Sequence, residues 1–357
     1  MTAPVDRARE LLASYEFTPR PDAWLRGYDL AFSRAMAERG LIGLTWPTSA
    51  GGGGYSNVDR LAVTEELLRA GAPVAAHWIG DRQIGPSILR HGTPELQAEL
   101  LPGIIRADLT FCLGMSEPQA GSDLAAVRTR ATRVEGGWLL NGHKIWTSGA
   151  HRATHLYVLA RTSEGERKHD GLSELLVDMG PGITVSPIRD LTGEHHFNEV
   201  LLQDVFVPAH RLLGVEGRGW QQVVEQLAFE RGGPERFLST YVLFAAILDA
   251  LRGVEPAPHA GLGRLVARLA VLRRLARRTA LALDEGQAPV REAATTKYLG
   301  NAFELDVVEF VRELPPPARD AVAELYRASL LASPGFALRG GSRDVLLGLL
   351  ARETGPR

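Results

Sequence analysis

A single cysteine, Cys112, stands among 357 residues, so no disulfide can close within the chain and a cysteine-based zinc site is excluded. A reducing cytoplasm is the expected setting. No segment approaches the ~20 uninterrupted apolar residues that cross a bilayer, and residues 1–20 carry charges throughout, without the apolar centre of a signal peptide. Neither sign of charge dominates: 40 Lys and Arg face 42 Asp and Glu, for a formal net charge of -2. That balance offers no basic field for nucleic acid and no affinity for an anionic membrane surface. What remains is an ordinary globular composition, 45% apolar and 23% charged, on a chain long enough for two or three folding units.

From about Pro21 to Ile105 the apolar residues fall near helical spacing, with Leu30, Phe32, Met36 and Leu41 in one stretch and Leu61, Val63, Leu67 and Leu68 in another. Trp46-Pro47 and the run Gly51 to Gly54 interrupt this pattern and read as a loop between helices, because glycine and proline both resist continuation. The run lacks a following Lys-Ser or Lys-Thr, so no phosphate-binding fingerprint forms. Between Leu109 and Pro208 the texture becomes short and β-branched: Trp138 to Leu140, Leu156 to Leu159 and Glu199 to Val207 read as strands, and Asn141-Gly142 reads as a hairpin turn. After Gly219 helices return. Leu265 to Leu283 reads as an amphipathic helix, with Val266, Leu269, Leu272 and Leu275 on one side and a basic face of Arg268, Arg273, Arg274, Arg277 and Arg278. Pro315-Pro316-Pro317 is expected to break any helix there. The chain thus reads as a multidomain α+β protein: an all-α domain over 1–110, a β sandwich or barrel over 111–215, and a helical bundle over 216–357.

Two segments carry a chemistry. Met115-Ser116-Glu117-Pro118-Gln119-Ala120-Gly121-Ser122-Asp123, followed by Asn141-Gly142-His143-Lys144-Ile145-Trp146-Thr147-Ser148, resembles the paired signatures of the acyl-CoA dehydrogenase family. Phe197-Asn198-Glu199-Val200 through Asp204-Val205-Phe206-Val207-Pro208 is similar to that family's strand leading out of the β domain. Leu338-Arg339-Gly340-Gly341-Ser342-Arg343-Asp344-Val345-Leu346 resembles its C-terminal glycine turn and final helix. The resemblance implies FAD, held in part by Leu113, Met115, Ser116, Gly121, Ser122, Trp146, Thr147, Ser148, Ser342 and Asp344. Those residue types suit a flavin ring, which needs an apolar wall on one face and donors along its polar edge. Trp146 supplies a wall, Ser116 and Ser148 supply hydroxyls.

The reaction implied by the resemblance removes an α proton and a β hydride from an acyl-CoA and leaves the trans-2-enoyl-CoA. The α proton is weakly acidic, so a base and donors for the developing enolate oxygen are required. Much of the family carries the base as a glutamate in the C-terminal turn, where this chain has Gly340. Other members carry it on the first long helix of the C-terminal domain, just before an arginine, and Phe229-Glu230-Arg231 matches that position. Glu230 is therefore expected as base, with the Gly340 backbone N–H still available to the thioester carbonyl. Arg231, Ser122 and Gly341 are expected along the substrate.

The chain departs from the family in the bundle. Arg-x-x-Phe-Gly and Gln-x-x-Gly-Gly stretches, which in many members hold the FAD pyrophosphate and adenosine across a subunit interface, are missing. Either arginines within Gly263 to Arg278 take over the pyrophosphate, or a partner subunit completes the site. Three functions follow: a dehydrogenase passing electrons to an electron-transfer flavoprotein, an oxidase or oxygenase of the same fold on a carrier-bound or non-CoA substrate, or a flavin-poor subunit of a hetero-oligomer. A homodimer or homotetramer is the family norm. His195-His196, placed in a strand, would point to opposite faces and so make a poor metal site.

Overall fold

The computed structural model describes residues 2–230, 232–255 and 258–354, without the side chains of 227–230, 259, 353 and 354. Its chain divides into two compact units, each discontinuous in sequence. One gathers Met1–Tyr28, Tyr55–Val74 and Leu227–Arg357; the other gathers Asp29–Gly54 and Ala75–Gln226.

The second unit joins a helical layer to a sheet. Its strands are β1 (Phe111–Gly114), β2 (Arg130–Val134), β3 (Gly137–Lys144), β4 (His155–Arg161), β5 (Leu172–Asp178), β6 (Ile183–Ile188), β7 (Phe197–Pro208) and β8 (Leu212–Leu213). They connect in the order β6-β7-β3-β2-β4-β5-β8, with β1 parallel to β4. The link between β2 and β4 is a single residue pair, Arg130 with Arg161, so the sheet is two halves joined at a corner. Both halves bury side chains in one core: Trp138, Leu140, Val200 and Val207 from one, Leu156, Val158, Leu175 and Val177 from the other. This is the economy of a sandwich, in which alternate residues of two layers share one interior.

The hairpin read at Asn141-Gly142 is not one. The β2–β3 turn lies at Glu135 and Gly136, the latter at φ +76. Asn141-Gly142 instead sits inside β3, where the register against β7 shifts between Leu140 and Gly142. Asn141 Nδ2 donates to Asp204 Oδ1 at 2.9 Å and its Oδ1 accepts from the Asp204 N–H at 2.9 Å, and Asp204 holds φ +49. The pair makes a β-bulge rather than a turn, because a cross-strand partner takes up the irregularity.

The helical layer comprises Leu30–Glu38, Ala75–Ile79, Gly85–His91 and Pro94–Ile105, with a π turn at Gly80–Ile84. Asp29 caps the first through Phe32 N (3.0 Å), and Thr93 caps the last through Leu96 N (3.2 Å). Leu41 lies beyond the first helix, which ends at Glu38. Ile79, Ile84, Ile88, Leu100 and Ile104 pack with Phe111, Tyr157 and Leu176, and Leu113 and Met115 lean on the same cluster. The end of β1 is thereby seated on the helices.

The other unit is helical. Pro4–Ser14 packs on Asn57–Arg69, and His259–Asp284 packs on both Asn57–Arg69 and Val290–Phe310. Ser56 and Asp59 form a reciprocal capping box. In His259–Asp284 the buried stripe is Leu265, Leu272, Ala276 and Ala280, while Val266 is 48% exposed. The helix is as read, but its inward face is rotated from the expected one. Its arginines are partly committed: Arg268 pairs with Asp306, Arg273 with Glu65 at 2.7 Å, and Arg278 with Glu292 at 3.7 Å. The triple proline ends one element and opens the next, with Pro316 and Pro317 in the first turn of Pro316–Ala321, where a missing N–H costs nothing.

Candidate active site

β1 ends at Gly114 and runs into Met115-Ser116-Glu117, a loop that closes on itself through paired backbone bonds between Glu117 and Ala120 (3.0 and 2.9 Å). The second motif segment leaves β3 at Lys144. These segments are distant in sequence and are held side by side by one buried ion pair. Lys144, wholly buried, donates to Glu117 Oε1 (2.9 Å), Leu159 O (2.7 Å) and Met115 O (3.2 Å). Glu117 also accepts from Thr129 N (2.8 Å), Thr129 Oγ1 (2.5 Å), Arg128 N (2.7 Å) and Gln119 Nε2 (2.6 Å). An Ile145 N–H bond to Ser116 O (3.0 Å) completes the join.

The electrostatics favour the charged pair at neutral pH. Burial pushes the Glu117 carboxyl up, but the Lys144 ammonium and the bonds from Thr129 and Arg128 outweigh it and hold the group at about 2. Burial draws Lys144 down to about 8 against the pull of Glu117. For the lysine burial wins and for the glutamate the partners win, yet both values leave both groups ionised at pH 7. A charge pair with every lone pair and proton engaged escapes the usual penalty of burial.

Beyond this clamp, Trp146 takes a left-handed conformation (φ +59) and leaves 55% of its surface exposed. A bulky residue at positive φ is strained, and its ring meets that of Phe197 in an edge-to-face contact at 5.6 Å and 87°. Thr147 is buried and is fixed by its neighbour on β7: its N–H donates to Asn198 O (3.0 Å) and its carbonyl accepts from Asn198 Nδ2 (3.1 Å). Its Oγ1 is buried with no partner among the described residues. Ser116 and Ser148 are half-buried, and Gly121 and Ser122 are exposed on the loop. A Cβ at Gly121 would meet nothing within 4 Å. An exposed flat indole, two hydroxyls, an orphaned third hydroxyl and an open shoulder fit the face and polar edge of a flavin ring. The structure thus brings Leu113, Met115, Ser116, Trp146, Thr147 and Ser148 onto two joined segments of one unit.

In the other unit Gly340 (φ +68) and Gly341 (φ +109) turn the chain between helices Ala323–Leu338 and Arg343–Thr354. Ser342 opens the last helix, its carbonyl accepting from Leu346 N at 3.0 Å, and Asp344 is exposed in the first turn. A buried polar network lies against this turn. Arg339 donates to Asp22 Oδ1 (2.5 Å) and Ser239 Oγ (2.6 Å) across the face of Trp24, and Lys297 donates to Phe336 O (3.0 Å) and Asn301 Oδ1 (2.5 Å). A Cβ at Gly340 would stand 3.1 Å from Arg236 Nη1 and 3.4 Å from Lys297 Cε. Glu230 closes helix Gly219–Glu230, but its side chain, and Arg231 altogether, lie outside the described residues.

Sequence reasoning found the motif residues and missed their fastenings: Glu117, Lys144, Thr129 and Asn198. No signal marked them: Lys144 stands between His143 and Ile145 and reads as an ordinary exposed strand lysine, the usual place for that side chain. His195 and His196 precede β7 rather than lie in it. His196 Nδ1 stands 3.3 Å from Asp190, and the His195 ring lies 4.6 Å from that of His151.

Two family models match the chain: the acyl-CoA dehydrogenase N-terminal domain over residues 3–108 and the acyl-CoA dehydrogenase middle domain over residues 112–205. The Mycobacterium tuberculosis protein named acyl-CoA dehydrogenase IpdE1 is 35% identical over 330 residues, covering 88% of this chain and 79% of that protein. A Mycolicibacterium smegmatis protein of the same name is 42% identical over 213 residues, covering 57% of this chain and 54% of its own length, so the match spans about half of that relative. Among solved structures, the Tcur3481-Tcur3483 steroid ACAD superposes with a TM-score of 0.84 at 26% identity over 99% of this chain and 98% of that one. The ChsE4-ChsE5 complex from Mycobacterium tuberculosis gives 0.80 at 28% identity over 100% and 98%.

Proposed function

Because this chain belongs to the acyl-CoA dehydrogenase family, whose members are FAD-dependent oxidoreductases, we propose that it oxidises a saturated acyl-CoA to the trans-2-enoyl-CoA with Glu230 as base. FAD, when bound, accepts the hydride that leaves the β carbon. The chain's own residues do the rest. Glu230 takes the α proton, and the Gly340 N–H stabilises the enolate oxygen as charge develops there. Trp146 walls the ring, while Ser116, Ser148 and the backbone from Leu113 to Ser122 bind its polar edge. Ser342 and Asp344 contact the cofactor from the C-terminal turn; Arg231, Ser122 and Gly341 line the acyl-CoA. The electron acceptor is an electron-transfer flavoprotein.

The observation that carries this reading is the Glu117–Lys144 clamp, which sets Ser116 beside the Trp146-Thr147-Ser148 segment, where Thr147 Oγ1 is buried without a partner among the described residues. The turn at Gly340 supports a base placed elsewhere, because its backbone is at φ +68 and a Cβ there would stand 3.1 Å from Arg236 Nη1, so any side chain at residue 340 is strained. The test is an anaerobic visible spectrum before and after addition of saturated acyl-CoAs of varied length and branching. Substrate bleaches the flavin of the native protein, whereas Glu230→Gln retains bound FAD and does not bleach. Turnover by Glu230→Gln removes the base assignment.

A second reading concerns assembly. The ChsE4-ChsE5 complex and the Tcur3481-Tcur3483 protein each name two components, and this chain lacks the two bundle stretches that hold the far end of FAD. A hetero-oligomer, with a partner chain supplying those contacts, accounts for both facts.

A further inference from the structure

Arg82 lies at the centre of the π turn Gly80–Ile84, a geometry that costs hydrogen-bond quality and concentrates at functional positions. The turn is pressed on β1: a Cβ at Gly80 would stand 3.3 Å from Phe111 Cδ2. Ile79 and Ile84, which bracket Arg82, belong to the cluster on which Leu113 and Met115 rest. Arg82 is therefore on the segment that backs the candidate flavin loop, inside the same unit.

Its side chain is 11% exposed and lies over the Trp78 ring at 5.1 Å. Nε stands 2.9 Å from Asp81 Oδ2, close enough to balance charge but out of line for a hydrogen bond. Nε and Nη2 are both buried without an accepting partner among the described residues. Asp81 is itself committed, its Oδ1 accepting from Gly43 N at 2.8 Å. One turn earlier, His77 is buried and its Nδ1 stands 2.8 Å from Ser33 Oγ. Ser33 Oγ also lies 3.1 Å from Asp29 O; with its proton on that carbonyl, His77 carries the Nδ1–H and presents Nε2 as a lone-pair acceptor. That Nε2 is also buried without a partner among the described residues. Burial, with Asp81 and Arg82 acting in opposite senses, lowers the ring to about 4 and keeps it neutral. Buried donors and acceptors left open on one short segment call for a ligand that supplies the missing partners.

We infer that Arg82 and His77 form a specificity subsite for a neutral oxygen, a ketone or hydroxyl, carried on the acyl group away from the thioester. The inference rests on the acyl-CoA reading above. Asp81 already offsets the guanidinium charge, so the unmet need is for a hydrogen-bond acceptor and not for an anion. A carboxylate would be repelled by Asp81; a plain alkyl chain would leave the donors buried and unmet. A ketone or hydroxyl oxygen supplies the acceptor that Arg82 Nε and Nη2 need.

The experiment uses the flavin-loaded protein and a matched series: octanoyl-CoA and its analogues with a ketone or a hydroxyl on the penultimate carbon or a carboxylate at the chain end, together with a cyclohexyl series. Anaerobic bleaching gives affinity, and steady-state turnover gives kcat/KM. The ketone and hydroxyl thioesters are expected to exceed the alkyl parent by about tenfold or more in kcat/KM, and Arg82→Met to erase that ratio, consistent with one hydrogen bond to a charged donor. Equal use of all thioesters by the native protein, or a preference for the carboxylate, overturns the subsite. So does Arg82→Met lowering every substrate in equal proportion. If Arg82→Met fails to retain flavin, the native series and Arg82→Lys decide instead, the lysine variant being expected to keep part of the preference. Absence of bleaching with every thioester defeats the acyl-CoA reading itself, and the subsite with it.

Discussion

Lys144 is a residue on which two segments depend. Its removal in Lys144→Met leaves the Glu117 carboxylate buried without a counter-charge, which costs about 3–5 kcal/mol in comparable sites. The expected outcome is a lowered urea midpoint together with loss of flavin. A variant that unfolds at the native midpoint would show that the pair is not what joins the segments. The same pair sets an acid limit. The Glu117 carboxyl is ordinarily near 4.5 and is held at about 2 in the fold, so the unfolded chain binds its proton first as pH falls. Its stabilisation is complete above about 4.5 and drains away between there and about 2, and acid titration of the folding midpoint reads this directly. The motif letters gave no hint of the clamp, because a sequence records that Glu117 and Lys144 exist but not that one strand carries the lysine's ammonium beneath the other's loop. Trp146 shows the same gap: its identity pointed to a flat wall, while the left-handed backbone that exposes the wall came from the bonds of Thr147 to Asn198 across to β7.

At the scale of elements, β3 shows why short-range rules misread this chain. Asn-Gly tolerates positive φ and so announces a turn, but here the side chain of Asn141 found both backbone and carboxylate of Asp204 on β7 and the strand continued. Gly142 is needed for a different reason, closeness: a Cβ there would stand 2.2 Å from Thr129 Oγ1, the hydroxyl that bonds Glu117. Gly142→Ala should therefore destabilise by about 1–3 kcal/mol, the usual toll of overpacking, and weaken flavin retention through Glu117. Thermal unfolding of the variant checks it, and an unchanged midpoint would mean that Thr129 moves aside freely. Helix His259–Asp284 was legible as a helix but not in its orientation. Apolar residues occur all round it, so periodicity alone could not choose between the Val266 and Leu265 sides; packing against Asn57–Arg69 and Val290–Phe310 chose.

For the whole molecule, the succession of helices, strands and helices was readable from texture and motif because each stretch is long and internally consistent. The two-unit division was not, since it depends on which distant segments meet. If a partner chain completes the FAD site, the chain purified alone should hold well under one flavin per protomer and gain it on mixing with a companion of the same family, as absorbance and mass measurements would record. Full, tightly held flavin in an assembly of this chain alone would dismiss the hetero-oligomer. The division also dictates an order of events during synthesis. The backbone passes between the units four times, at 28/29, 54/55, 74/75 and 226/227. The sheet-bearing unit has all its residues once Gln226 has left the ribosome. The helical unit must hold its first two segments in waiting until the last third of the chain emerges, which makes it the part exposed to chaperones and proteases in the interval.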